Sequence, residues 1–224
     1  MIDLPNVTLF CISSDKVPDA IKVLQYSMRG INFGAVKLIT HEDPGNLPDG
    51  IEFSQCYEIK SIHEYNYYCL YNLTNHIDTD YCLLIQPDGF VINPDKWDDD
   101  WFNYDYIGAP WALADDAYLD PWGKPHRVGN GGFSFRSKKL LDVPKHAHIQ
   151  FDVNWGSFYK HMDVGFTSED GNICVHNRHI YEALGCKIAP IEVAARFSHE
   201  RPLPETQGIT PFGFHYFLPA GTQL

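Results

Sequence analysis

Five consecutive residues, Tyr81 to Ile85 (YCLLI), form a β-prone apolar run with no polar alternation. That is the pattern of a strand buried on both faces, and such a strand needs covering elements on each side of its sheet. Gln86-Pro87-Asp88-Gly89 ends the run, and Phe90-Val91-Ile92 resumes strand character. In open α/β sheets, ligands sit outside the carboxyl ends of the strands. The turn therefore sets an amide and a carboxylate where a divalent cation, the natural partner of a phosphate group, can be held. The same four residues also satisfy an ordinary type I or II turn with proline in second position. This stretch alone leaves both readings open.

The preceding chain supplies the partners that a doubly covered strand needs. Val7 to Ile12 (VTLFCI) reads as a first strand. Val17, Ile21, Leu24 and Met28 recur at helical spacing and predict a helix over 18–28. Ala35 to Thr40 reads as a second strand and Ile51 to Ile59 as a short third. Ser61 to Ile77 carries Ile62, Tyr65, Cys69, Leu73 and Ile77 on one helical face. The order is strand, helix, strand, strand, helix, strand: an α/β domain with a mixed central sheet flanked by crossover helices, Rossmann-like in plan.

Beyond residue 95 the pattern is less regular and more aromatic. Trp97-Asp98-Asp99-Asp100-Trp101 reads as a solvated helix start, because three consecutive carboxylates cannot face one ion from a helix or a strand. Tyr104 to Trp111 (YDYIGAPW) predicts a short strand, Ala112 to His126 a loop, and Val128 to Ser137 (VGNGGFSFRS) a glycine-rich turn entering a strand. No Gly-Lys-Ser/Thr follows, so the turn is not a P-loop; its paired glycines permit close approach of a ligand or a neighbouring strand. His146, His148, His161 and Asp163 match no common metal-ligand spacing. Glu169 and Asp170 open a helix that runs through Ile173, His176, Ile180 and Leu184 to a capping Gly185. Carboxylates in a first turn complement the helix dipole by about 0.3–1 kcal/mol each, and that position also offers a general base to a substrate hydroxyl. Lys187 to Ile191 and Val193 to Phe197 read as strand segments, and His215 as either a packed ring or a ligand delivered late in the chain.

Charge narrows the partners. The 224 residues carry a formal net charge of −12, which disfavours nucleic acid and anionic membranes, where Lys and Arg must replace counterions. The six cysteines show neither a CxxC pair nor zinc-ligand spacing and read as reduced core thiols. No apolar run approaches the ~20 residues of a membrane span and no signal peptide opens the chain, so a cytoplasmic protein is expected.

Taken in order, QPDGF, YDYIGAPW, GNGGFSFRS, a Ser-Glu-Asp helix start, IAPIEVAARFSHE and FGFH resemble an uncharacterised domain family grouped with glycosyltransferases and related to the GT-A class. The resemblance runs from about Tyr68 to His215. It implies one GT-A-like domain, with residues 1–95 as the nucleotide-binding half and 96–224 as the acceptor-binding half. It implies transfer of a sugar from a nucleotide-sugar donor to a hydroxyl acceptor, such as that of a glycan. The Asp-x-Asp position of that class reads Gln86-Pro87-Asp88 here, so Gln86, Asp88 and Gly89 would face the donor diphosphate. Asp88 and His215 would hold Mn²⁺ or Mg²⁺. Asp170 would act as base in an inverting reaction while Glu169 orients the acceptor. Asn130, Gly131 and Gly132 would line the acceptor side, Tyr106 or Trp111 would stack on a sugar, and Arg136 or Arg127 would neutralise the leaving diphosphate if no metal does. Two other readings stand beside this one: a non-catalytic nucleotide- or carbohydrate-binding module, favoured by Gln86, and a phosphohydrolase using Asp88 and nearby histidines.

Overall fold

The structure, a computed structural model, describes residues 1–112, 119–151 and 168–218. Strands β1 (Ile2–Ile12), β2 (Ile31–Thr40), β3 (Glu52–Gln55) and β4 (Tyr81–Ile85) are mutually parallel. β6 (Ser134–Ser137) runs antiparallel to both β4 and β5 (Tyr106–Ile107), giving a six-stranded sheet in the order β3-β2-β1-β4-β6-β5. This is the mixed α/β domain expected from the sequence. The order turns back at β1: the chain first moves outward to β2 and β3, then returns to lay β4 on the other side of β1. Such a switch point leaves a crevice at the carboxyl ends of the two strands.

β1 and β4 are covered on both faces. Phe10, Ile12, Cys82 and Leu84 join one core cluster, while Leu9, Cys11, Leu83 and Ile85 join the other, as the two-residue period of a strand requires. Helix α1 (Val17–Ser27) places Ala20, Val23 and Leu24 against the second cluster. Helix α2 (Ile62–Tyr71) covers the first with Tyr68, Cys69 and Leu70. α2 starts where the Ser61 hydroxyl accepts the Glu64 N–H at 3.1 Å and the Glu64 carboxylate accepts the Lys60 N–H at 2.6 Å. Ser137 caps α3 (Lys138–His146) in the same way, accepting the Leu140 N–H at 3.0 Å. All six cysteines are free, and five of them are buried.

The helix expected over 61–77 stops at Tyr71 and gives way to a 3₁₀ turn over Leu73–His76. Asp98 caps a 3₁₀ turn (Asp99–Asn103), accepting the Asp100 N–H at 3.0 Å, so this acidic run is a solvated helix start. Glu169–Gly171 opens helix α4, which continues as a π-turn over Asn172–His176; α5 (Arg178–Ala183) follows and ends at Gly185, whose φ is +81°.

The strand expected over 193–197 is instead helix α6 (Ile191–Phe197), which begins just after Pro190 and buries Val193, Ala194, Ala195 and Phe197. Its apolar residues pack against β-sheet side chains and aromatic rings of the second cluster, so tertiary burial overrides the short β-prone pattern. The strand expected over 187–191 reduces to one bridge, Tyr106 to Ile188. Phe90 to Ile92 form no regular strand either; Val91 bridges Gly213, and Ile92 N–H donates to the Phe212 carbonyl at 3.0 Å. Those bonds tie the late chain to the β4 turn. A short parallel pair, β7 (Ser198–His199) and β8 (Gly213–Phe214), completes the fold. His161 and Asp163 lie outside the described residues.

Candidate active site

Two cavities meet at the carboxyl ends of β1 and β4. The larger is a cleft of about 790 Å³ lined by Ile12 to Lys16, Glu58 to Ile62, and Tyr65 with Gln86, Pro87 and Asp88. The smaller, about 160 Å³, is lined by Asn66, Asn130 to Gly132, Glu169, Asp170, Glu200 and His215. Ile62, Tyr65 and Gln86 border both. One elongated ligand can therefore span them, with its polar middle over Gln86 and Asp88.

The late chain reaches this join through backbone bonds. Tyr216 N–H donates to the Asp88 carbonyl at 2.7 Å, Phe214 N–H to Phe90 at 3.4 Å, and His215 N–H to His199 at 2.9 Å. Tyr216 holds a left-handed φ of +70° in making that turn. The result sets the His215 Nε2 atom 3.2 Å from Gln86 Oε1 and 3.8 Å from Asp88 Oδ1. Two glycines make room for the ring: a Cβ on Gly132 would fall 2.1 Å from His215 Nε2, and one on Gly89 would fall 2.8 Å from Cδ2. Gly89 thus accommodates His215 and does not line the cleft. Burial lowers the His215 pKa, so its ring is biased to the neutral, electron-pair-donating form.

Do these residues fit a divalent cation? Among the described residues no cluster of three or more His, Cys, Asp and Glu side chains could hold a metal. The fit rests on a mixed set instead: one carboxylate, one imidazole and the Gln86 amide, a nitrogen-oxygen set compatible with Mn²⁺ or Mg²⁺ when diphosphate oxygens and water fill the remaining positions. Gln86 is already engaged, its Nε2 donating to the Tyr65 hydroxyl at 2.8 Å while Oε1 faces His215. That leaves Asp88 and His215 as the two side chains that could face a cation there.

Glu169 and Asp170 are adjacent in sequence and have opposite surroundings. Glu169 is 4% exposed, and its Oε1 accepts from the Arg136 guanidinium at 2.8 Å. Burial, then the charge of Asp170, pushes its carboxyl above the usual range, and Arg136 pulls against both. A Cβ on Gly131 would fall 1.8 Å from that oxygen, which is why a glycine stands there. Glu169, expected to orient an acceptor, is paired through one carboxylate oxygen with Arg136. Asp170 instead accepts from the Gly131 N–H at 2.9 Å and the Gly171 N–H at 2.7 Å. Half-buried, it lines the smaller cavity.

Burial places three of the residues expected to bind substrate in the interior. Arg136 and Tyr106 are 0% exposed, with the guanidinium 5.2 Å from the centre of the Tyr106 ring. Trp111 packs in the core, its ring where a Cβ on Gly129 would fall, 1.9 Å away. None of the three lines either cavity. Arg127 is paired with Glu205 at 2.5 Å and lines neither.

Nothing in the sequence pointed to Glu200, Asn66 or Tyr65 as cavity residues. Glu200 follows β7, in register with His215 after β8 (His199 pairs with Phe214), so the two side chains reach the cavity from neighbouring strand ends. Its only sequence signal was its place in IAPIEVAARFSHE.

The fold is thus a mixed α/β sheet with a crevice at its switch point and a carboxylate-lined cavity beside it. The chain belongs to the family described as protein of unknown function, DUF5672, whose model matches residues 49–215. No curated protein matches the sequence. Among solved structures the chain is similar to the galactosyltransferase LgtC, in complex with donor and acceptor sugar analogues, at 14% identity over 95% of this chain and 88% of that one, with a TM-score of 0.54. It is likewise similar to a glycosyltransferase involved in glycosylation of the major capsid of PBCV-1, at 14% identity over 97% and 94% of the two chains, with a TM-score of 0.51. At these identities the likeness is one of fold, that of the GT-A glycosyltransferases. No helix among the described residues is long and apolar enough to cross a membrane.

Proposed function

We propose that this protein transfers a sugar from a nucleotide-sugar donor to an acceptor hydroxyl. The observation that carries the reading is the meeting of Asp88 and His215, from distant parts of the chain, at the join of a nucleotide-sized cleft and a small polar cavity. The nucleoside would lie in the cleft past β1 and α1, the diphosphate over Asp88 and His215, and the anomeric carbon toward Asp170. A divalent cation held by Asp88 and His215 would offset the charge that builds on the departing diphosphate.

In the reaction, the acceptor oxygen bonds to the anomeric carbon as the bond from that carbon to the diphosphate oxygen breaks. The acceptor proton passes to Asp170, and the electron pair leaves on the diphosphate. With Asp170 on the face opposite the leaving group, the outcome is inversion. General-base help of this kind contributes roughly 10²–10⁴-fold; the cleft supplies the remainder by positioning. The two backbone N–H groups on Asp170 fix its oxygens for that role. Glu169 and Arg136 stand behind it as a buried support.

Calorimetry with UDP, GDP and CMP, each with and without Mn²⁺ or Mg²⁺, tests the reading. One nucleotide is expected to bind wild type in a metal-dependent way and to lose that dependence in Asp88→Asn. Failure of all three to bind under any condition would overturn it and leave a glycan-binding module as the better account.

A further inference from the structure

Beyond the two cavities at the strand ends, a third opens beside the β7–β8 pair. It is a groove of about 690 Å³ with apolar walls of Pro202, Leu203, Pro204, Ile209, Phe217 and Leu218, a volume within the range of about 300–1,000 Å³ typical of small-molecule pockets. Phe217 and Leu218 are 50% and 40% exposed, and Tyr216 before them is exposed as well. Three large apolar side chains in a row at the surface mark a contact site, where a single one would not. Tyr216 is held at a left-handed φ of +70°, rare for a bulky residue, with its N–H on the Asp88 carbonyl at 2.7 Å and the Phe217 N–H on the His215 carbonyl at 2.9 Å. This turn leaves His215 at the cavity and places Phe217 in the groove; strain of this kind gathers where a segment has a task. The 199–201 segment divides in the same way. His199 and Arg201 line the groove, and Glu200 between them lines the smaller cavity. Groove and cavity therefore share a wall one chain thick.

The walls indicate the occupant. Phe217 is the one aromatic ring among the six apolar residues, and the others are aliphatic, which suits a flexible chain better than a flat ring that must stack. The chain carries a net charge of −12, yet among the described residues no carboxylate lines the groove. Glu205, from the same stretch, is turned to Arg127, and Arg201 lies near enough to Glu200 for their charges to offset. We infer that the groove binds the alkyl chain of an amphiphilic acceptor, whose hydroxyl-bearing head passes over Glu200 into the smaller cavity. The substrate class is then a sugar or alcohol with an aliphatic tail, not a free polar saccharide. The acceptor role rests on the glycosyl-transfer reading; the affinity for an alkyl chain does not.

The test is calorimetric titration of the full chain with methyl, butyl, hexyl and octyl glucosides, each kept below the concentration at which it forms micelles. Affinity should rise by roughly two- to fourfold per added methylene, the gain from moving that group out of water into a partly open groove. Phe217→Asp should weaken the octyl compound by roughly tenfold or more and leave the methyl compound unchanged. Leu218→Asp repeats the measurement if Phe217→Asp melts early. Trp122→Ser, at an exposed ring outside the groove, should change nothing. Octyl glucoside bound no more tightly than methyl glucoside, equal weakening in Trp122→Ser, or a chain-length series that persists in both groove variants overturns the proposal. So does a dimer in sedimentation that Phe217→Asp dissociates, since a second copy is then the occupant. With UDP-glucose, UDP-galactose and GDP-mannose as donors, octyl glycosides should show a lower acceptor KM than methyl glycosides at similar kcat, an advantage lost in Phe217→Asp. Turnover without that difference in KM overturns the acceptor role. No turnover with any donor counts against the transferase reading, while the titration still decides the groove.

Discussion

The first 95 residues and the rest of the chain build the same sheet by different means. In the earlier region four parallel strands pair between helices, and no Asp, Glu, Lys or Arg residue is buried. In the later region the strands are two to four residues long, and a charged pair, Arg136 and Glu169, sits in the interior. Among the described residues, four of the five histidines whose pKa burial lowers also lie there: His126, His176, His199 and His215, with His76 alone in the earlier region. The earlier region is held by area and regular hydrogen bonding. The later one is held by particular polar contacts, which fail singly and completely. A site that must present charge in a cavity is built from the second kind of material.

The sharpest break of this contrast is at the buried pair. Arg136→Met leaves Glu169 in the interior without its partner and should lower stability by about 3–5 kcal/mol, read as a shift of the urea midpoint. Arg136→Met combined with Glu169→Leu should recover most of that loss, since the uncompensated charge goes with it. A double variant as unstable as the single would show that shape, not charge, sets the cost.

Acid should separate the regions next. Burial pushes His176 down to about 4, against about 6.5 in an unfolded chain. Between those values the unfolded state binds the extra proton, so stability is full above pH 6.5 and is lost as pH falls toward 4, by roughly 3 kcal/mol at this position. The other shifted histidines act in the same direction. Hydrogen exchange at pH 5 should therefore open α4 and β7 before β1 and β4, and His176→Gln should flatten the pH dependence of the urea midpoint. Equal opening of both regions would erase the distinction.

The smallest effect belongs to the earlier region. Ser61→Ala removes one cap from α2 and should cost about 1 kcal/mol, with no change in pH dependence between 7 and 5. Thermal melts at the two values check it.

The sequence revealed the earlier region almost completely, because β1, α1 and β4 carry their signals locally: an apolar run, a helical period, a proline or serine at the start. Its motifs also drew attention to Asp88, Asp170 and His215, which the fold brings to the borders of the two cavities. It misread 187–197, where a short apolar segment fits strand or helix and burial against distant aromatic rings decides. It did not show that Tyr106, Trp111, Arg136 and Glu169 are buried, because an aromatic or charged residue in a motif looks the same whether it faces a ligand or the core. Glu200, Asn66 and Tyr65 carried no local pattern that pointed to a cavity.

The sequence by itself determined that β4 is central and doubly covered, and that a turn with one carboxylate follows it. Only the tertiary structure decided that His215 arrives at that turn, that Glu169 turns inward to Arg136 while Asp170 stays at the cavity, and that Glu200 takes the place beside it. The reason is range. Periodicity and capping act within a few residues, whereas the site is closed by backbone bonds between residues 88 and 216 and a charged pair between 136 and 169, contacts that exist only once the sheet has brought those segments together.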